Sequence, residues 1–214
     1  MSQDPTFRLL LLAGFIAVVA IMLRHRIAAA ATGERLDRRQ EGIFILATLR
    51  PVAGVFWLSV IAFLISPGWM AWSSLPLAPW LRWTGVAIFA TAVALLAWML
   101  PSLGTNLTDT VVTRAAHTLV THGPYRFVRH PFYDAMTLLI LASSLMTANW
   151  FLLATGSLVV LLIVIRTDTE EAHLLARFGD AYRTYTMTTG RFLPRDSADR
   201  IKAFVKRRAR PGDI

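Results

Sequence analysis

Polar side chains are concentrated in residues 119–135, between two strongly apolar stretches of the chain. The segment holds two imidazoles, two guanidinium groups, two phenols and three helix-interrupting residues: His122, His130, Arg126, Arg129, Tyr125, Tyr133, Gly123, Pro124 and Pro131. Imidazoles exchange protons near neutral pH, and guanidinium groups hold anions. Such groups are costly beside a membrane unless they bind a ligand or perform chemistry. We therefore take this segment as one half of a candidate site.

A second polar segment, residues 166–171, follows the last apolar run. On a helix, Arg166, Glu170 and His173 share one face, and Glu171 lies about 100° further round. Adjacent carboxylates at a membrane boundary repel each other and lose hydration, so a cationic ligand or nearby arginines must offset their charge. We predict that the two polar segments are halves of one site at the membrane face.

Each of these groups also has a purely structural interpretation. His130 is suited to cap a helix, and Arg126 and Arg129 are typical of membrane-surface anchors. The two glutamates fit a solvated helical turn, where the helix dipole favours negative charge, and tyrosines are common at membrane interfaces. The residues taken one by one leave these alternatives open.

Composition places the chain among membrane proteins. The 214 residues are 55% hydrophobic and 16% charged, which is too apolar for an ordinary soluble domain and suits one helical unit. The absence of cysteine excludes thiolate chemistry. The formal charge of +9 comes from clusters at residues 24–39 and 202–210, beside apolar segments. Anionic lipid headgroups, rather than nucleic acid, are therefore the expected partner.

Five apolar runs predict an all-α, polytopic membrane protein with about five transmembrane helices. The runs are residues 7–23, 43–65, 81–100, 132–147 and 150–165. We expect the first run to be retained, because its basic cluster follows it instead of preceding it. Alternate loops are rich in arginine, which predicts an outside N-terminus and a cytosolic C-terminus. Both polar segments then lie on the cytosolic side.

Prolines and glycines predict the local structure around the candidate site. Because residues before proline favour extended backbone, residues 119–131 should form an irregular entry into a helix that begins at Pro131. A polar helix with one apolar-aromatic face should follow over about 166–185. At Arg50 and Pro51 two arrangements stay open: the membrane-spanning part begins at Pro51 and residues 43–49 lie at the interface, or Arg50 faces an intramembrane cavity. Histidine spacing gives no reason to predict a metal site.

Several motifs follow one another towards the C-terminus. They are LGTN at 103–106, LVTHGPYR at 119–126, VRHPxY at 128–133, RxxxEExxL at 166–174, FGxxYxxY at 178–185 and RFxP at 191–194. Their order and spacing resemble the isoprenylcysteine carboxyl methyltransferase and phospholipid methyltransferase superfamily of integral membrane enzymes. The resemblance covers roughly residues 100–194. One position departs from the family pattern, because Ala135 stands where the family usually has glycine, and its methyl group is expected to narrow the groove.

The resemblance implies S-adenosylmethionine as the methyl donor, in a cytosolic pocket that a C-terminal helix completes. The cofactor-binding candidates that it implies are His122, Gly123, Pro124, Tyr125, His130, Pro131, Tyr133, Glu170 and Glu171. Carboxylates suit the donor's ammonium group and ribose hydroxyls, and tyrosines suit its adenine and sulfonium. The implied organisation is a single membrane methyltransferase domain over residues 1–214, with its cofactor-binding and catalytic core at 100–194 and a basic tail at 195–214.

The resemblance also implies a lipophilic acceptor that enters from the bilayer, foremost an isoprenylcysteine-like carboxylate. The catalytic candidates are Arg129, Arg166 and Glu171. A carboxylate acceptor is already ionised and needs a cation such as Arg129 or Arg166, whereas an amine or thiol needs a base such as His130 or Glu170. A phospholipid amine and a small thiol are therefore alternatives.

Two other classes of protein stay open at this point. One is an NADPH-dependent reductase of the steroid and sterol reductase group, which has a similar C-terminal helical arrangement. The other is a membrane scaffold or small-molecule carrier without catalysis. The paired glutamates and the spacing of the FGxxYxxY motif favour the methyltransferase over both. The oligomeric state is not predictable from the sequence.

Overall fold

The computed structural model describes residues 5–30, 43–104 and 118–195. In this part of the chain the long elements are six α-helices: α1 Pro5–Ala30, α2 Ile43–Ile65, α3 Pro79–Leu103, α4 Pro131–Thr147, α5 Trp150–Phe178 and α6 Asp180–Thr188. Two short 3-10 helices, Pro67–Ser73 and Gly123–Arg126, lie in the connections. The predicted all-α fold is confirmed. Most of the basic loop, two residues of the LGTN motif and the tail from residue 196 onward lie outside the described residues.

Four helices are long and apolar enough to cross a membrane, namely α1, α2, α3 and α5. The fifth apolar helix, α4, has 17 residues and is therefore about 25 Å long, a little less than the bilayer core. It lies between α3 and α5, and most of its inner face is buried. Because its neighbours cover it, α4 can be shorter than a lipid-exposed span. The prediction of a polytopic helical membrane protein is confirmed.

Two arginines tie neighbouring helices together at one end of the bundle. Arg8, near the start of α1, donates over 2.8 Å to the carbonyls of Leu64 and Ile65 at the end of α2. Arg82, near the start of α3, donates to the carbonyl of Met146 at the end of α4. The last carbonyls of a helix lack partners within it, so these arginines complete two helix ends.

This end of the bundle, where α1, α3 and α5 begin, is called the aromatic end below. Its exposed aromatic side chains are Trp69, Trp72, Trp80, Trp83 and Trp150. Asn149 caps α5 by accepting from the Leu152 amide and donates to Met70 and Ser73. The helices therefore alternate in direction, and α2 and α4 begin at the opposite end, called the polar end.

The polar end begins with an irregular segment, as predicted. Residues 118–122 are non-helical, a 3-10 turn follows, and Pro131 is the first residue of α4. Gly123 has a positive φ of 59° and lies so close to α3 that a Cβ atom there would be 2.2 Å from Oγ of Ser102. The segment is thus packed against the last turn of α3.

One detail of the predicted helices is wrong. The polar helix expected over 166–185 is interrupted, because α5 ends at Phe178 and Gly179 turns the chain with a φ of 51° before α6. Glycine adopts this left-handed conformation without steric cost, so it ends the helix there. At the position left open, α2 runs unbroken from Ile43 through Pro51 to Ile65, and Arg50 is exposed on its surface.

Candidate active site

The carboxylate of Glu171 is the centre of the polar end. Its Oε1 accepts from Nε of Arg129 over 2.9 Å and lies 3.1 Å from Nε2 of His130. Its Oε2 accepts from Nη2 of Arg191 over 2.6 Å. Only 15% of the side chain is exposed, so these partners replace water around the charge. The two polar segments therefore meet, as predicted, and this carboxylate joins them.

Arg129 connects the irregular segment to the chain that follows α6. Besides its bond to Glu171, its Nη1 donates to the backbone carbonyls of Thr186 and Thr189. The rigid fork of a guanidinium group suits such multiple contacts better than a lysine ammonium does. Nε and Nη1 of Arg129 are thus engaged by Glu171 and by backbone carbonyls, which favours a positioning role over contact with an acceptor.

Backbone pairing reinforces this connection. The amide of Arg129 donates to Gly190 over 2.8 Å, and the amide of His130 donates to Arg191 over 3.1 Å. A Cβ atom on Gly190 would lie 1.7 Å from the carbonyl oxygen of Leu193, so only glycine fits in this turn. Residues 186–192, called the C-terminal segment below, therefore form one wall of the site.

Arg191 is the residue that the candidate set omitted. Besides Glu171, it binds Oδ1 of Asp168 over 2.8 Å. The hydrogen bond that Arg191 donates to Glu171 is the main cause that raises the pKa of Arg191 above its ordinary value. The RFxP motif contained this residue, but its role depends on the chain turning back at Gly179, which the expected continuous helix did not allow.

Glu170 has a different environment from its neighbour. Its Oε2 accepts from the hydroxyl of Tyr133 over 2.5 Å, and in the described part of the chain this is its one hydrogen bond. The ring of Tyr133 stacks on His130, with centroids 5.5 Å apart and planes 9° apart. Glu170 therefore keeps acceptor capacity for a ligand, whereas both oxygens of Glu171 are engaged.

Three buried tyrosines lie in the irregular segment or pack next to it. The hydroxyl of Tyr185 donates to the carbonyl of Tyr125 over 2.6 Å, and burial raises the pKa of both phenols. Tyr182 is only 2% exposed, and its hydroxyl has no hydrogen-bond partner among the described residues. Burial raises the pKa of Tyr182 as well, so all three phenols stay neutral across the physiological range.

The other candidate residues divide into two groups. Pro124, Tyr125 and Pro131 are buried and shape the backbone of the irregular segment. His122 precedes the 3-10 turn with an exposed side chain, and the structure does not bring it to the carboxylates. Arg129, His130 and Tyr133 therefore meet the paired glutamates, and His122 lies outside this cluster.

An apolar cavity of about 180 Å³ lies between α2, α4 and α5, inside the bundle. Its walls are Leu49, Ala53, Phe56, Trp57, Phe132, Tyr133, Met136, Leu139, Ile140, Val159, Ile163 and Arg166. Tyr133 and Arg166 are its polar members, and both lie at its polar end. Tyr133 therefore both lines the cavity and binds Glu170 through its hydroxyl.

Ala135 does not line this cavity. Its side chain is fully buried among the packed helices, while Phe132, Tyr133 and Met136 face the cavity from the same turns of α4. The methyl group of Ala135 was expected to narrow the groove, but it does not face the described cavity. It packs among the helices of the core instead.

Comparison with known proteins agrees with this arrangement. Residues 80–181 match the model of the phospholipid methyltransferase family. Over 70 residues the chain is 39% identical to the Protein-S-isoprenylcysteine O-methyltransferase of Schizosaccharomyces pombe, covering 32% of this chain and 30% of that protein. Over 73 residues it is 37% identical to the Methanethiol S-methyltransferase of Mycobacterium tuberculosis, covering 34% of this chain and 29% of that protein.

A third relative is similar along most of the chain. It is Methanethiol S-methyltransferase 1 of Bradyrhizobium diazoefficiens, with 24% identity over 208 residues, which cover 90% of this chain and 68% of that protein. The chain spans less than a third of each of the first two relatives. The region that matches the family model includes Arg129, His130, Tyr133, Glu170 and Glu171. The family match and the three relatives support the resemblance to the superfamily of membrane methyltransferases that includes the isoprenylcysteine and phospholipid methyltransferases.

Proposed function

We propose that this protein is a membrane methyltransferase that transfers a methyl group from S-adenosylmethionine to the carboxylate of a lipophilic, isoprenylcysteine-like acceptor. The observation that carries the proposal is the contact between Tyr133 and Glu170. It joins an apolar cavity, suited to a lipophilic acceptor, to a carboxylate suited to a cationic donor. Transfer needs both reactants held side by side, and this contact lies where the two compartments meet.

The residues near Glu170 fit the donor chemically. Glu170 has spare acceptor capacity for ribose hydroxyls or an ammonium group, and the buried hydroxyl of Tyr182 offers an unused polar contact. Backbone amides of the irregular segment suit the donor's carboxylate. When bound, S-adenosylmethionine supplies a methyl group on a positively charged sulfur, and the nearby carboxylates favour that charge.

The acceptor side is supported by Arg166. Arg166 lines the polar end of the cavity, and Arg129 is not among the residues that line it. A carboxylate acceptor needs no base but does need a cation to orient it. Arg166 is therefore the better candidate for holding the acceptor, and Arg129 and Glu171 are assigned to positioning.

Entry from the bilayer and a cytosolic site are parts of the same proposal. Trp57, one wall of the cavity, is partly exposed on the lipid-facing surface of α2. The polar end also carries exposed guanidinium groups, namely Arg24, Arg26, Arg50, Arg126, Arg177, Arg183 and Arg195. Such a ring of cations suits the anionic headgroups of a cytoplasmic leaflet. It supports an orientation with the N-terminus outside.

A small thiol is the second candidate acceptor. A cavity of about 180 Å³ is smaller than the sites that hold drug-sized ligands, which are about 300–1,000 Å³. A thiol would need a base, and Glu170 is close to the cavity through Tyr133.

The deciding experiment uses solubilised protein, labelled S-adenosylmethionine and a total lipid extract. Product mass identifies the acceptor, and mild alkali distinguishes the alternatives because it cleaves a methyl ester and leaves a thioether intact. We expect an alkali-labile lipid product. Label in an alkali-stable, volatile thioether would identify a thiol, and not a carboxylate, as the acceptor. The absence of any methyl transfer would contradict methyltransferase activity.

A further inference from the structure

The cavity ends, at the side away from Arg166, in a close contact between helices. Gly156 of α5 lies one turn beyond Val159, the deepest cavity residue on that helix. A Cβ atom on Gly156 would be 2.3 Å from Cγ2 of Ile140 and 3.2 Å from Cε2 of Phe56. Side chains of α2 and α4 therefore pack directly against α5 at this level, and this contact is called the floor of the cavity below.

The depth of the cavity follows from its helical walls. On α5 the lining residues run from Arg166 to Val159, which is seven residues and about 10 Å of helix. An extended chain gains about 3.5 Å for every three bonds, so about 10 Å holds about eight or nine bonds. A geranyl tail fits within this length, and a farnesyl tail exceeds it.

We propose that the contact of Gly156 with Ile140 and Phe56 limits the length of the acceptor's apolar tail, so that this protein selects short-tailed lipophilic acceptors. The inference rests on the proposed function, in which the acceptor occupies this cavity with its anionic head at Arg166. It adds a specificity-determining group of residues that does not touch the reacting atoms.

The test measures binding without requiring catalysis. Terminally brominated alkanoic acids of increasing length quench tryptophan fluorescence. The part of this quenching that is lost in Trp57→Phe reports binding in the cavity, since Trp57 lines it. Affinity should rise about three- to fourfold with each methylene group up to about eight carbons, and then stop rising. If the acids only partition into detergent, their affinity shows no break at any length. A steady rise in affinity through the longest acids would overturn the inference.

A matched pair of variants tests the floor itself. Ile140→Ala opens the floor and should move the break to longer acids, whereas Leu141→Ala, whose side chain is 38% exposed on the same helix, should leave the break unchanged. Phe56→Leu repeats the test from α2 if Ile140→Ala does not fold. Identical breaks in the floor variants and the control would overturn the inference.

Methyl transfer distinguishes this inference from the proposed function. The same acids, and N-acetyl-S-alkylcysteines with butyl to farnesyl tails, are offered with S-adenosylmethionine. A length limit in binding without any transfer would support the floor and contradict the proposed function. Transfer that increases through the farnesyl compound would support the proposed function and overturn the length limit.

Discussion

Arg191 and Glu171 are joined by a 2.6 Å hydrogen bond between Nη2 and Oε2, which fastens the C-terminal segment to α5. The same carboxylate binds Arg129 from the irregular segment, so one anion holds three parts of the chain together. Its oxygens are engaged by its own protein. Of the two adjacent glutamates, Glu171 is therefore the structural one, and Glu170 is the one available to a ligand.

Replacing Glu171 by glutamine should loosen this assembly. The change leaves Arg129, Arg191 and His130 close together without their anion. Hydrogen bonds to charged groups contribute about 1.5–3 kcal/mol each, so we expect a clear fall in the free energy of unfolding and faster proteolysis after α6. Thermal unfolding in detergent and limited proteolysis measure both effects.

The matched control for this variant is Asp180→Asn. Asp180 pairs with Arg183 on α6, and the two side chains are 89% and 64% exposed. Exposed pairs contribute about 0–1 kcal/mol, so this variant should behave like the wild type. Equal stability of Glu171→Gln and Asp180→Asn would show that Glu171 does not hold the segment.

The two buried tyrosines of α6 should respond in opposite directions to removal of their hydroxyl groups. Tyr185→Phe loses the hydrogen bond to the carbonyl of Tyr125 and should cost about 1 kcal/mol. Tyr182→Phe removes a buried hydroxyl that has no partner in the described residues, so it should be neutral or stabilising without ligand. Thermal unfolding of the ligand-free variants checks both. A larger loss of stability in Tyr182→Phe than in Tyr185→Phe would contradict these assignments of the two hydroxyl groups.

A methyl group at Gly190 should displace the C-terminal segment. The new Cβ atom would lie 1.7 Å from the carbonyl oxygen of Leu193, and backbone must move to relieve this clash. We expect Gly190→Ala to lower both the unfolding temperature and the affinity for S-adenosylhomocysteine. Gly54→Ala is the control, because nothing lies within 4 Å of the added atom, and there the change should be neutral or stabilising by at most about 1 kcal/mol. Similar melting curves for the two variants would contradict the close fit at Gly190.

Neutralising Arg166 should affect the acceptor and not the donor. In Arg166→Gln the polar end of the cavity loses its cation, so KM for a carboxylate acceptor should rise about tenfold or more. Calorimetry should give an unchanged affinity for S-adenosylhomocysteine. The opposite result, with weakened donor affinity and unchanged KM, would move Arg166 to the donor site.

The sequence predicted much of this arrangement because its signals are local. The proline at the start of α4, the apolar runs and the paired glutamates each determine structure within a few residues. Arginine placement then indicated that residues 119–135 and 166–171 share one end of the bundle, and the bond between Arg129 and Glu171 confirms that they meet.

The parts that the sequence did not predict depend on one turn and on distant contacts. A glycine at position 179 was compatible with a continuing helix, and only its left-handed conformation shows that the chain turns there. That turn carries Arg191 back to Glu171 and pairs Gly190 with Arg129, across 20 and 61 residues of chain. No spacing rule within a single helix links such positions.

The central claim is that Glu170 binds the methyl donor beside the acceptor cavity. Its most direct test is calorimetric titration of S-adenosylhomocysteine into the wild type, Glu170→Gln and the control Asp180→Asn. We predict binding to the wild type and to the control, and affinity about tenfold or more weaker in Glu170→Gln, as expected for loss of a charge-assisted hydrogen bond. Unchanged affinity in Glu170→Gln, with the wild type binding normally, would contradict the account.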